Sequence, residues 1–159
     1  MAGIEQEIGA LLRQKGLTLG TVESATGGLI SHLITNIAGS SDYYKGAVVS
    51  YANETKMKVI GVKEATLRKY GSVSARVAEE MARGGRVVLD VDICVADTGI
   101  AGPGGATPGK AVGLFYIGLS HAGGTFNRKH EFHGTRDENK QSAALAALNW
   151  VKEYLDNLV

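Results

Sequence analysis

Thr21-Val22-Glu23-Ser24-Ala25-Thr26-Gly27-Gly28 is the stretch where a short buried strand stops and an amphipathic helix begins. Before it, Leu17 to Val22 reads as a strand; after it, Leu29, Ile30, Leu33, Ile34 and Ile37 recur at helical spacing. Strand, small-residue turn and helix in that order make the building unit of an α/β chain. Ser24 itself has two roles open to it. It can cap the free N–H groups of the helix, or it can expose its hydroxyl as a nucleophile or seat an anion.

Working outward, Ile4, Ile8, Leu11 and Leu12 give an amphipathic helix over Ile4–Lys15, stopped by Gly16. The small polar run Ala38–Asp42 leads to a tyrosine- and valine-rich strand over Tyr43–Tyr51. Ser50-Tyr51-Ala52-Asn53-Glu54-Thr55-Lys56 closes that strand and opens a short helix. Lys56 to Asp90 reads as mostly helical with breaks at Gly61 and Gly71; the helix that starts in Ser72–Val77 turns Val77, Met81 and Val88 to the core. Val91–Ala96 is the most apolar strand, as a central strand covered on both faces should be. It runs into the glycine-rich loop Asp97–Gly105. Ala111–Ser120 and Thr125–Phe132 form a hairpin through Ala122-Gly123-Gly124. A last helix over Gln141–Val159 has Ala144, Leu145, Leu148, Val151, Tyr154 and Leu155 on its apolar side. This order predicts a three-layer α/β/α sandwich with a mixed β-sheet, one domain over residues 1–159.

Composition narrows the function. The 159 residues are 44% hydrophobic and 21% charged, and no apolar run reaches the length of a membrane span. The 17 basic and 16 acidic residues are mixed along the chain, net charge +1, so no basic footprint for nucleic acid is present. A small ligand is the better fit. Cys94, the single cysteine, lies in an apolar strand and reads as filler; together with the lack of a signal-peptide pattern this points to the cytoplasm.

Three loops follow strands: Ser24–Gly28, Tyr51–Lys56 and Thr98–Gly105. In open α/β sheets such loops converge on one site. A nucleophilic serine needs a base, and no histidine stands in a serine-hydrolase context. Lys56 is the next candidate, since a lysine removed from water has its pKa lowered toward neutrality; it is otherwise a solvated surface lysine. Backbone amides of a helix starting near Thr26, including those of Gly27 and Gly28, would stabilise an oxyanion. Ser24 and Lys56 thus outline a serine-lysine amidohydrolase. Gly104–Ala111 nearly spells a Walker loop, but Ala111 replaces the magnesium-binding hydroxyl and a strand follows. His130 and His133, an odd number apart in a strand, point to opposite faces, so no metal site is expected. Arg136 and Lys140, one helical turn apart, either face a phosphate or form an ordinary charged helix start.

Glu23-Ser24-Ala25-Thr26-Gly27-Gly28, Gly39-Ser40-Ser41, Ser50–Lys56, Gly71-Ser72-Val73-Ser74 and Thr98-Gly99-Ile100-Ala101-Gly102-Pro103 occur in an order that resembles the CinA C-terminal domain family, in its stand-alone form. Characterised members include nicotinamide mononucleotide deamidase. The resemblance implies hydrolysis of nicotinamide mononucleotide to nicotinate mononucleotide and ammonia, without metal or organic cofactor. It makes Ser24 the catalytic serine and Lys56 its base. It also makes Ser41, Tyr51, Thr98 and Gly99 substrate-binding positions, Arg136 the phosphate partner, and a homodimer or higher homo-oligomer the expected assembly. Ala25 stands where many members have cysteine, so the thiol is not needed for the chemistry. Thr135 and Lys140 stand where acidic and arginine residues are frequent, and lysine lacks the bidentate fork of arginine. Two alternatives share these features: a non-catalytic nucleotide-binding or protein-interaction module, and an amidohydrolase for another amide.

Overall fold

The computed structural model describes residues 2–158. In chain order its elements are α1 (Ile4–Lys15), β1 (Leu19–Glu23), α2 (Leu29–Thr35), a 3-10 turn (Ser40–Asp42), β2 (Tyr44–Val49), α3 (Asn53–Ile60), α4 (Glu64–Tyr70), α5 (Ala75–Val88), β3 (Ile93–Gly99), β4 (Leu114–His121), β5 (Gly124–Glu131) and α6 (Arg136–Asp156). The five strands form one sheet in the order β2-β1-β3-β4-β5. β1 runs parallel to β2 and β3, while β4 is antiparallel to both β3 and β5. The mixed sheet and the central place of β3 are as the sequence predicts.

Alternation along the strands divides the core in two. Leu19, Ile93, Val95, Ile117 and Leu119 face α1, α2 and α6, which contribute Ile8, Leu12, Ile30, Ile34, Leu148 and Val151. Val22, Cys94 and Ala96 face the other way, against Ile60 of α3 and Val77, Met81 and Ala82 of α5. This is the three-layer α/β/α sandwich. Burial pushes the Cys94 thiol up to about 12, so it stays protonated and acts as apolar filler. No helix among the described residues is long and apolar enough to cross a membrane.

Local signals set the helix ends. Gly16 and Gly61 follow α1 and α3 in left-handed conformation (φ 67° and 73°), and Ser74 caps α5 by accepting the N–H of Val77. α6 starts earlier than its apolar periodicity suggests, because Thr135 and Glu138 form a reciprocal capping box ahead of Arg136. It ends at Asp156, and Val159 lies outside the described residues.

Several expectations are corrected. β3 continues through Asp97 and Thr98 to Gly99, because these residues pair with Ile117, Tyr116 and Phe115 of β4. β4 begins at Leu114, and the hairpin turn is Ala122-Gly123 alone, since Gly124 already pairs with His121. α2 starts at Leu29, not near Thr26, and excludes Ile37. Val88 is 51% exposed: Leu89, just past the helix, packs in the core instead. Leu145 is 44% exposed, beside the inward stripe of Ala144, Leu148 and Val151.

α5 lies unusually close to the sheet. A Cβ on Gly118 of β4 would stand 2.1 Å from the Ala78 carbonyl oxygen, and one on Gly85 of α5 would stand 2.2 Å from Val22 Cγ2. The Ala78 carbonyl is backbone, so the Gly118 contact cannot be relieved by a rotamer change. Gly118→Ala is therefore expected to lower unfolding free energy by about 1–3 kcal/mol, read from the midpoint of urea denaturation; an unchanged midpoint would contradict the packing described.

Candidate active site

β1 and β3 run side by side, each carrying a fully buried acid, Glu23 and Asp97, just past the Val22–Ala96 pair. Buried carboxyl groups require hydrogen-bond donors. The turn after β1 and the first turn of α2 provide them. Asp97 accepts the backbone N–H groups of Ser24 (3.1 Å) and Thr26 (3.2 Å). Glu23 accepts those of Gly28 (3.1 Å), Ile30 (2.9 Å) and Ser31 (2.9 Å), and so caps α2. The Gly27 N–H bonds back to the Ser24 carbonyl at 3.1 Å. Gly27 and Gly28 hold positive φ values of 62° and 105°, which bring the chain round from β1 into α2.

These bonds overturn one expectation. The amides of Thr26, Gly27 and Gly28 are already engaged, and the Thr26 side chain is buried between Glu23 and Asp97. None of the three residues lines the cleft in front of Ser24. The Ala25 N–H, by contrast, has no partner among the described residues, and Ala25 does line the cleft.

Lys56 sits on the first turn of α3 and is only 1% exposed. Its Nζ lies 3.0 Å from Ser24 Oγ, 2.8 Å from the Ser50 carbonyl oxygen and 3.0 Å from that of Tyr51. As an ammonium it donates to all three. As a neutral amine it keeps the two carbonyls for its two N–H groups, and its lone pair is left for the Ser24 hydroxyl. The carbonyls thus orient the amine for proton exchange with Ser24. Burial lowers the Lys56 pKa below its ordinary value, and the nearby Asp97 carboxyl works against that shift.

The cleft has a volume of about 260 Å³ and is bounded by Ser24, Tyr51, Lys56, Thr98, Gly99 and Arg136, with Ser72 and the loop from Ile100 to Gly105. Thr98 donates its hydroxyl to the Ser72 carbonyl at 2.7 Å, which ties β3 to the segment before α5. Gly99 admits no side chain, since a Cβ would meet the Phe115 ring at 2.3 Å. Arg136, the first residue of α6, donates to the Gly102 carbonyl (2.7 Å) and to the Tyr51 hydroxyl (3.3 Å), bridging the rim. Asn139 secures the glycine loop by donating to the Ala101 carbonyl at 3.0 Å. Tyr51 itself is 62% exposed.

The structure therefore brings together Ser24, Lys56, Tyr51, Thr98, Gly99 and Arg136. It does not bring in Lys140, whose ammonium lies beside Gly27, outside the cleft lining. Nor does it bring in Ser41, which precedes β2 while Ser24 follows β1; as the two strands are parallel, these residues occupy opposite ends of the sheet. Sequence reasoning missed the work of Glu23 and Asp97. An acid at the end of an otherwise apolar strand, such as Asp97 after Val91–Ala96, was the available signal. No group of three or more potential metal-ligating side chains occurs among the described residues.

The profile of the CinA C-terminal domain matches residues 1–155. A CinA-like protein of Salinibacter ruber is 46% identical over 152 residues, covering 96% of this chain and 37% of that protein. A putative competence-damage inducible protein of Clostridium kluyveri is 45% identical, with the same coverage. The chain thus spans little more than a third of the length of these relatives. Among solved structures, the competence damage-inducible protein A (ComA) of Klebsiella pneumoniae superposes with a TM-score of 0.95 at 28% identity, covering 98% of this chain and 97% of that one. The competence/damage inducible protein CihA of Agrobacterium tumefaciens superposes at 0.87 with 33% identity, covering 99% and 100%. Matched along nearly its whole length in both sequence and fold, the chain belongs to the CinA C-terminal domain family.

Proposed function

We propose that this protein is an amidohydrolase that deamidates nicotinamide mononucleotide to nicotinate mononucleotide and ammonia. The observation that carries this reading is the buried Lys56 amine, held by two carbonyls and 3.0 Å from the hydroxyl of Ser24 at the floor of the cleft. Neutral Lys56 takes the Ser24 proton as Oγ attacks the carboxamide carbon. The Ala25 N–H, adjacent to the nucleophile and without another partner among the described residues, donates to the oxyanion. The resulting Lys56 ammonium protonates the departing nitrogen, which leaves as ammonia. Water, deprotonated by Lys56, then attacks the acyl-Ser24 ester; collapse of that second tetrahedral species releases the acid and returns the proton to Ser24.

The cationic rim supports the nucleotide part of the reading. Arg136 uses two of its N–H donors on Gly102 and Tyr51 and retains others for a phosphate. Binding without turnover would instead favour a non-catalytic nucleotide module, and turnover of a different amide would favour the broader amidohydrolase reading.

Ammonia release from nicotinamide mononucleotide is expected to fall at least about a thousandfold in Ser24→Ala and in Lys56→Met, with circular dichroism unchanged; near wild-type turnover in either variant refutes the dyad. On the acidic side, kcat/KM should rise with pH as Lys56 loses its proton, with an apparent pKa below the ordinary lysine value of 10.5. A profile flat over that range would exclude Lys56 as the base. Arg136→Ala should weaken use of the mononucleotide by about 10–100-fold, the loss of a charge-assisted hydrogen bond, while leaving the nucleoside unaffected. Equal losses for both substrates would remove Arg136 as the phosphate partner.

A further inference from the structure

Beneath the Ser24 turn, the Thr26 hydroxyl touches two carboxyl groups at once. Its Oγ1 lies 2.7 Å from Glu23 Oε1 and is also in hydrogen-bond contact with Asp97 Oδ1. A hydroxyl has one proton to donate, and an ionised carboxylate has none. If both acids were ionised, one of these contacts would press lone pair against lone pair in a site closed to water. A second proton, carried by one of the acids and donated to Thr26 Oγ1, satisfies both contacts.

The surroundings decide which acid carries it. Glu23 accepts three backbone N–H groups at the start of α2, one donor more than Asp97 has from the backbone. Asp97 accepts two, from Ser24 and Thr26. Charged neighbours are few: Glu23 on β1 and Lys56 on α3. Arg136 and Lys140 of α6 lie at the rim and beyond Gly27, and the cross-strand partner on β4, Ile117, is apolar.

We propose that Glu23, Thr26 and Asp97 form a proton-sharing trio in which Thr26 donates to an ionised Glu23 while Asp97, a neutral carboxylic acid, donates to Thr26. Asp97 is then a positioning residue for the proposed serine-lysine chemistry, and that part of the inference rests on the dyad reading above. By accepting the N–H groups on either side of Ala25, it leaves the Ala25 N–H to face the cleft. Being neutral, it withholds from Lys56 the negative charge that would favour the ammonium. Burial, against the Thr26 hydrogen bond and with help from the Glu23 charge, pushes the Asp97 carboxyl up to about 6.

Infrared spectroscopy of protein labelled with carboxyl-13C aspartate tests the proton directly. Every other aspartate, at positions 42, 90, 92, 137 and 156, is exposed, so a protonated-aspartate band persisting at about pH 6 belongs to Asp97. The band is expected in the wild type and in Ser24→Ala, and should vanish in Asp97→Asn. Its absence from the wild type overturns the inference while leaving the amidase reading standing. Because Ser24→Ala is measured too, the answer does not depend on turnover. With nicotinamide mononucleotide as substrate, the wild type should show a second, falling limb in kcat/KM as pH rises past the Asp97 value of about 6, where the shared proton is lost and the turn loosens. Asp97→Asn, which has no such proton, should rise to a plateau at a lower kcat with KM little changed. A falling limb retained in Asp97→Asn would overturn the positioning role.

Discussion

Two carboxyl groups, buried next to one another with no ion-paired cation among the described residues, set the shape of this site. Glu23 ends β1 and Asp97 lies beside it on the adjacent parallel strand β3, and each needs hydrogen bonds to offset the loss of water. The turn after β1 and the first turn of α2 meet that need with five backbone N–H groups, from Ser24, Thr26, Gly28, Ile30 and Ser31. A turn that must aim so many donors inward has little freedom left. Ser24, at its start, is thereby held with its hydroxyl toward the cleft.

Lys56 adds a second constraint from the opposite layer. Its amine is delivered through the first turn of α3 to the same strand ends, where the Ser50 and Tyr51 carbonyls and the Ser24 hydroxyl take up its donors. Such a lysine is poised between charge states: desolvation favours the amine, while the carbonyls and any negative charge on Asp97 favour the ammonium. Serine, lysine and the buried acids therefore form one electrostatic unit, although only the first two touch the space a substrate would fill.

Much of this was legible residue by residue, and the failures are instructive. The Ser24 turn was recognisable because the apolar period changes on either side of it, and Lys56 because it follows the next strand of the same order. The amides of Gly27 and Gly28 look free in the sequence because a helix start resembles an empty anion site; in the fold Glu23 fills it at Gly28, and the Gly27 N–H turns back to the Ser24 carbonyl. Asp97 reads as loop in the sequence because the apolar run ends at Ala96, whereas the ladder to β4 carries the strand to Gly99. Lys140 lies one turn beyond Arg136 on α6, but its ammonium ends beside Gly27 rather than in the cleft. Ser41 shares a small-residue motif with the site loops, yet it precedes its strand where they follow theirs.

By itself the sequence determined the order of strands and helices, the layers they form and the breaks at Gly16, Gly61 and Gly71. Those follow from periodicity and backbone preferences acting over a few residues. Only the tertiary structure decided which N–H groups remain for a substrate, which acids are buried together and how strongly Lys56 holds its proton. These depend on contacts between residues 32 positions apart, for Ser24 and Lys56, and 73 apart, for Ser24 and Asp97. They depend as well on the loss of water when the layers close, which no local pattern encodes.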